Sequence, residues 1–193
     1  MLVMNTTRGF SQACRLVSQS GFTRGFRTGH SAVMAPIKVG DSLPNVDLFE
    51  GNPGNKVNTK EAFGKGKHVI ISVVGAFTPT CQVDHMPTFV KDYDKLKAKG
   101  VDSINCFAVN DPFVMEAFGK ALNADGKVRF LADTTAEFTN ALDLSLDLTA
   151  ILGNIRSQRF AMVVQDGKVT GINVESDSTK ATCSKSSDIF NLL

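Results

Sequence analysis

A chain of 193 residues, 42% hydrophobic and 21% charged, suits one compact domain with or without a tail, and excludes disorder over most of its length. A net charge of +2 is too small for a nucleic-acid surface, and the longest apolar run, Val69 to Phe77 with Ser72 inside it, falls well short of the roughly 20 residues of a membrane-spanning helix. Four cysteines are too few for a disulfide-stapled secreted scaffold.

The charge is unevenly placed along the chain. No Asp or Glu precedes Asp41, whereas residues 1–33 carry Arg8, Arg15, Arg24 and Arg27 among several Ser and Thr, with apolar residues interspersed. An Arg-rich, Ser-rich, acid-free start has the composition of a mitochondrial transit peptide; the alternative is a basic tail with no address. Arg8 and Arg15 interrupt every apolar core that a secretory signal would need. Residues 1–33 are therefore expected to direct the chain to the mitochondrial matrix and to be removed or disordered, leaving residues 34–193 as the domain. Setting those four arginines aside leaves 17 of the 21 basic residues against 19 acidic ones, a mildly acidic domain. A start at Met34 would give an untargeted cytoplasmic product. The C-terminal Asn191-Leu192-Leu193 is not a Ser-Lys-Leu-type peroxisomal signal.

Residues 35–66 are rich in Gly, Pro and Asn and read as loops and small strands, with a helical turn at Thr59–Ala62. The β-branched run His68 to Gly75 predicts a strand buried on both faces. Residues 81–98 have helical spacing, with a kink expected at Pro87 and a stop at Gly100. Ser103 to Val109 predicts a second buried strand, then a helix capped at Asn110-Asp111 with Pro112 in its first turn and running to about Leu122. Val128 to Ala132 predicts a third strand, and Thr135 to Asn140 a short helix. Phe160–Gln165 and Lys168–Val174 predict two strands joined by an Asp166-Gly167 hairpin turn, and Ser186–Leu193 a closing helix. Alternating strands and helices leading into an antiparallel pair predict an α/β architecture, with a mixed central β-sheet flanked by helices on both faces. Thioredoxin-like folds have this layout.

The chemistry is expected at the end of the first buried strand, in Gly75-Ala76-Phe77-Thr78-Pro79-Thr80-Cys81. A strand ends, a tight loop turns, and a cysteine enters the first turn of a helix. Amides there lack internal acceptors, and the helix dipole adds partial positive charge; both favour thiolate, the nucleophilic form. Thr78 stands three residues before the sulfur. A lone cysteine after a strand also fits a small buried core residue, but the helix start and the Thr-x-x-Cys spacing favour a reactive thiol. Residues 78 and 84 are Thr and Asp, so no Cys-x-x-Cys motif is present. His85 follows Cys81 by four, but no second pair has the spacing of metal ligands.

That loop resembles the active-site loop of the peroxiredoxins, and specifically of their atypical two-cysteine type. Agreeing segments run through residues 34–193, among them Met34-Ala35-Pro36-Ile37-Lys38-Val39-Gly40-Asp41, Val109-Asn110-Asp111, Arg159-Phe160-Ala161-Met162-Val163-Val164-Gln165-Asp166-Gly167 and Ala181-Thr182-Cys183-Ser184. The resemblance implies a thioredoxin-like fold and a peroxidase of hydrogen peroxide, alkyl hydroperoxides and peroxynitrite, with no metal, haem or flavin. By the same resemblance, Cys81 would be the peroxidatic cysteine and Thr78 would hold the peroxide. Arg159, which alone reads as a surface charge at a strand end, would lie against the sulfur. The Thr80 and Cys81 amides would complete the cradle, with Pro79 limiting loop freedom. Leu148, Ile151 and Leu152 would line the pocket mouth, although they also read as ordinary core. Cys183 would resolve the sulfenic acid by an intramolecular disulfide from a polar, mobile segment, and thioredoxin would reduce that disulfide. Cys106, in a buried strand, reads as core. The family suggests a monomer or a non-covalent homodimer. It usually carries Pro four residues before the Thr; here that residue is Val74. The rival functions are a redox relay that passes its disulfide to a partner protein, and a structural module with an inert Cys81.

Overall fold

The computed structural model describes residues 35–193 and the backbone of residues 14–16. The targeting segment expected at residues 1–33 lies outside the described residues, except that the backbone of Cys14–Leu16 forms strand β1.

The centre of the molecule is β4 (Lys67–Ser72), whose residues from His68 onward are all buried. Alternation along it sends Val69 and Ile71 to one face and Ile70 to the other, so each face must be covered. β5 (Ser103–Ala108) runs parallel to β4, and β6 (Val128–Ala132) parallel to β5. On the other side β9 (Phe160–Gln165) pairs antiparallel with β4, and β10 (Lys168–Glu175) with β9. Asp166 and Gly167 both take positive φ, 50° and 76°, as the expected two-residue hairpin requires. β2 (Asp47–Glu50) and β3 (Lys56–Asn58) complete one edge, giving an eight-stranded mixed sheet in the order β1-β10-β9-β4-β5-β6-β2-β3. This is the expected thioredoxin-like architecture.

One core lies between the Val69 face and Met86, Phe89 and Leu96, with Met115 and Phe118 of α4 (Pro112–Ala121) and Ile189 of α7 (Ser186–Ile189). The other lies between the Ile70 face and Phe63 of α1 (Thr59–Phe63) and Phe138 of α5 (Glu137–Ala141). Asp111 caps α4 by accepting from Val114 N at 2.9 Å, with Pro112 in the first turn as the sequence indicates.

Four details differ from the sequence reading. The strand expected to reach Gly75 ends at Ser72. The helix expected over 81–98 is three pieces: a π-helix at Thr80–His85, α2 (Met86–Lys91) and α3 (Tyr93–Ala98). Pro87, which has no N–H to give, sits in the first turn of α2, where the hydrogen-bond pattern changes. The closing helix stops at Ile189. A small hairpin of β7 (Ser145–Asp147) and β8 (Ile155–Ser157) encloses α6 (Thr149–Leu152), none of which its short, half-exposed sequence announces.

Candidate active site

Residues 73–79 carry the chain from β4 into the π-helix, and several contacts fix this loop. Phe77 takes φ of 61°, a conformation that a bulky side chain rarely adopts, and its ring meets Phe118 edge-on at 5.3 Å. Asn110 Oδ1 accepts from Ala76 N at 3.0 Å and from Arg156 Nη1 at 3.2 Å. Gly75 leaves room for that guanidinium, since a Cβ there would stand 3.1 Å from Arg156 Nη1. Thr78 Oγ1 donates to Gly75 O at 3.0 Å. Its hydrogen is thereby used, and its lone pairs remain to accept from a substrate hydroxyl.

Cys81 is the second residue of the π-helix, has a free thiol and is 0% exposed. Among the described hydrogen bonds, none gives the Thr80 or Cys81 amide a backbone acceptor, as expected of a first helical turn. Arg159, just before β9, is 1% exposed and directs Nη2 at Cys81 Sγ over 3.3 Å. Its Nε donates to Ser178 O at 3.2 Å, and its Nη1 to His85 Nδ1 at 3.0 Å. His85 Nε2 donates to Ser184 O at 2.8 Å. A guanidinium only donates and a carbonyl only accepts, so these two partners fix the tautomer of His85. Burial first, then the Arg159 charge, pulls His85 down to about 4, so the ring is neutral at pH 7. Among the described residues, no carboxylate pairs with Arg159. The group in contact that can carry a compensating negative charge is the Cys81 sulfur.

A cleft of about 750 Å³ opens beside these groups. Thr78, Pro79, Thr80 and Arg159 line it, together with Leu148, Ile151 and Leu152, all named from the sequence. Val74, which replaces the Pro usual in the resembled family, also lines it. Cys81 lies buried behind this lining. The Thr80 hydroxyl points elsewhere and donates to Thr179 O at 2.8 Å.

Cys183 is placed differently from the expectation of a mobile segment. It is 7% exposed, with Sγ 3.8 Å from Val174 O. The amides of Thr182, Cys183 and Ser184 all donate to the buried Glu175 carboxylate, at 2.6, 2.9 and 3.0 Å. Residues 182–184 are thus held by their backbone amides and by the hydroxyls of Thr182 and Ser184, while Ser176, Asp177, Thr179 and Lys180 before them are exposed. The Cys183 sulfur is engaged in a disulfide, and not with Cys81. Cys106 is a free, fully buried thiol, pushed well up by burial and next by the proximity of Cys81.

Three contributors escaped the sequence reading. The i+4 offset of His85 from Cys81 is visible in the sequence but points there only to a metal ligand. Ser178 accepts from Arg159 Nε with its carbonyl and from Arg159 N with its Oγ, at 3.2 and 3.0 Å, and one serine among several in a polar stretch carries no signal for either. Glu175 ends a strand and shows its role only through the loop that returns to it.

The redoxin family model matches residues 38–193. Peroxiredoxin-2B of Arabidopsis thaliana is 45% identical over 163 residues, which cover 83% of this chain and all of that protein. The structure of reduced Prx3 in complex with hydrogen peroxide from Vibrio vulnificus is similar at a TM-score of 0.75 and 42% identity, covering 81% of this chain and 99% of that one. The structure of peroxiredoxin 5 from Alvinella pompejana is similar at a TM-score of 0.74 and 39% identity, covering 81% and 97%.

Proposed function

Since the chain belongs to the peroxiredoxin family and is a thiol-dependent peroxidase, we propose that Cys81 is its peroxidatic cysteine and Cys183 its resolving cysteine. The observation that carries this is a fully buried guanidinium without a carboxylate partner among the described residues, 3.3 Å from a free thiol. A buried charge is costly unless compensated, and a thiolate at Cys81 compensates it.

The Cys81 thiolate attacks the terminal oxygen of a hydroperoxide. The S–O bond forms as the O–O bond breaks, and the leaving oxygen departs with a proton as water or an alcohol, giving sulfenic acid. The Thr78 lone pairs hold the substrate hydroxyl, while Arg159 and the Thr80 and Cys81 amides face the charge that moves onto the leaving oxygen. The thiol of reduced Cys183 then attacks the oxidised sulfur, water leaves, and an 81–183 disulfide forms. Thioredoxin reduces it by thiol–disulfide exchange. This is the atypical two-cysteine cycle, and the likeness to peroxiredoxin 5 supports it. The leucine and isoleucine wall of the cleft supports alkyl hydroperoxides beside hydrogen peroxide, with peroxynitrite a further substrate. Residues 1–33 precede the family match at residue 38, and their composition supports import into the mitochondrial matrix.

One equivalent of hydrogen peroxide added to the fully reduced chain, followed by intact mass and peptide mapping, tests the cycle. The expected product has lost two hydrogens and links Cys81 to Cys183. Oxygen retained on Cys81 alone would make the protein a one-cysteine peroxidase. A link from Cys81 to Cys106 would move the resolving role to Cys106. An unmodified Cys81 would contradict the reading outright.

A further inference from the structure

Glu175 closes β10 and is 3% exposed. Its backbone N–H donates to Arg159 O at 2.9 Å, which places it directly opposite the residue that faces the peroxidatic sulfur. Its side chain turns to the 182–184 segment. Oε1 accepts from Thr182 N, Cys183 N, Ser184 N and Ser184 Oγ, the last at 2.7 Å, and Oε2 accepts from Thr182 Oγ1 at 2.7 Å. Among the described residues, no Lys or Arg forms a salt bridge with it. Burial pushes this carboxyl up, and the donors of Cys183, Thr182 and Ser184 overcome that push, so it sits below its ordinary value.

The segment that Glu175 holds returns to the active site. Ser184 O accepts from His85, His85 accepts from Arg159, and Arg159 donates to Cys81. Glu175 therefore touches the site along two routes: by its backbone to Arg159, and by its carboxylate through Ser184 and His85 to the same guanidinium.

We propose that Glu175 is a positioning residue that couples the two cysteines. Its carboxylate clamps residues 182–184 where Ser184 O can orient His85, and through it Arg159. When that clamp opens, the Cys183 amide is released, leaving Asn173 Nδ2 on Cys183 O at 2.9 Å, and the guanidinium loses its aim in the same movement. The clamped form completes the peroxide site; the open form lets Cys183 approach the oxidised sulfur. The two chemical steps thus use two arrangements of one segment, and the site is not held ready for a second peroxide while the first product is being resolved. This inference rests on the roles proposed above for Cys81 and Cys183.

The test is Glu175→Gln in the fully reduced full-length chain. The amide keeps the shape, but the charge that the Oε1 donors converge on is lost, and an NH₂ replaces the Oε2 acceptor that faces Thr182 Oγ1. Two quantities are read: the pH profile of single-turnover oxidation of Cys81 by hydrogen peroxide, and the rate at which an alkylating reagent labels Cys183. Half-maximal oxidation is expected about one pH unit higher, with about a tenfold lower rate below it, while Cys183 labelling rises by about tenfold. An unmoved pH profile in a folded variant overturns the coupling, even if Cys183 becomes exposed, since that would leave Glu175 a loop anchor only. If the Gln variant does not fold, Thr182→Val removes the donor to Oε2 and should move both quantities the same way, by about threefold; no movement there also overturns the proposal. A wild-type Cys81 that resists oxidation would overturn the peroxidatic reading itself, whereas a reactive wild type with an unmoved variant overturns the coupling alone.

Discussion

Cys81 and Cys106 are both free, both 0% exposed, and packed in the same hydrophobic cluster on one face of the sheet. Cys106 sits in the middle of β5, where its backbone is fully used by the ladder and burial pushes its thiol up. Cys81 stands at a helix start, with the guanidinium of Arg159 directed at its sulfur over 3.3 Å. Burial alone makes a cysteine inert, whereas Cys81, the proposed nucleophile, is buried with a guanidinium aimed at its sulfur. The difference lies in what the neighbouring loop and strand end contribute, not in depth.

Cys81→Ser breaks the comparison most severely. Peroxide consumption, followed in the presence of excess reductant, is expected to vanish, whereas Cys106→Ser should leave the initial rate intact. Arg159→Lys comes next. One ammonium cannot reach Cys81, His85 and the Ser178 carbonyl together, so stopped-flow oxidation of Cys81 should slow by about 100-fold. His85→Gln sharpens the account through stability. His85 is held near 4 in the folded chain against 6.5 as its ordinary value, so between those values the unfolded chain binds a proton that the folded chain does not. Stability is then full above about pH 6.5 and falls by about 3 kcal/mol as the pH drops to about 4. Urea unfolding across that window should show the slope in the wild type and a flatter curve in the variant. Cys106→Ala should cost only about 1 kcal/mol of stability in the same assay, with peroxidase activity unchanged.

Much of the fold was legible because its signals are local. The β-branched runs at β4 and β5, the Asp111-Pro112 start of α4 and the Asp166-Gly167 turn each depend on a few adjacent residues, and each appears where expected apart from the early end of β4 at Ser72. The π-helix was not legible. Periodicity near 3.6 tolerates one inserted residue, so residues 81–98 read as one helix although the bonding pattern changes at Met86. At the site, Thr78, Pro79, Thr80 and Cys81 are contiguous and were readable together. Arg159 comes from 78 residues away, and only a whole-chain resemblance pointed to it. The polar stretch before Cys183 is largely exposed as its composition suggests, but Cys183 itself is buried, because the loop returns to Glu175, which takes the donors of Thr182 and Ser184.

The most direct test of the central claim uses a reduced Cys183→Ser chain, so that oxidised cysteines persist. It receives less than one equivalent of hydrogen peroxide at pH 7 with a sulfenic-acid trap, and the trapped sites are counted by peptide mapping. The account predicts that the label falls on Cys81 and that Cys106 stays a thiol. Equal labelling of the two, or labelling of Cys106 first, would show that the guanidinium beside Cys81 does not select the reactive sulfur.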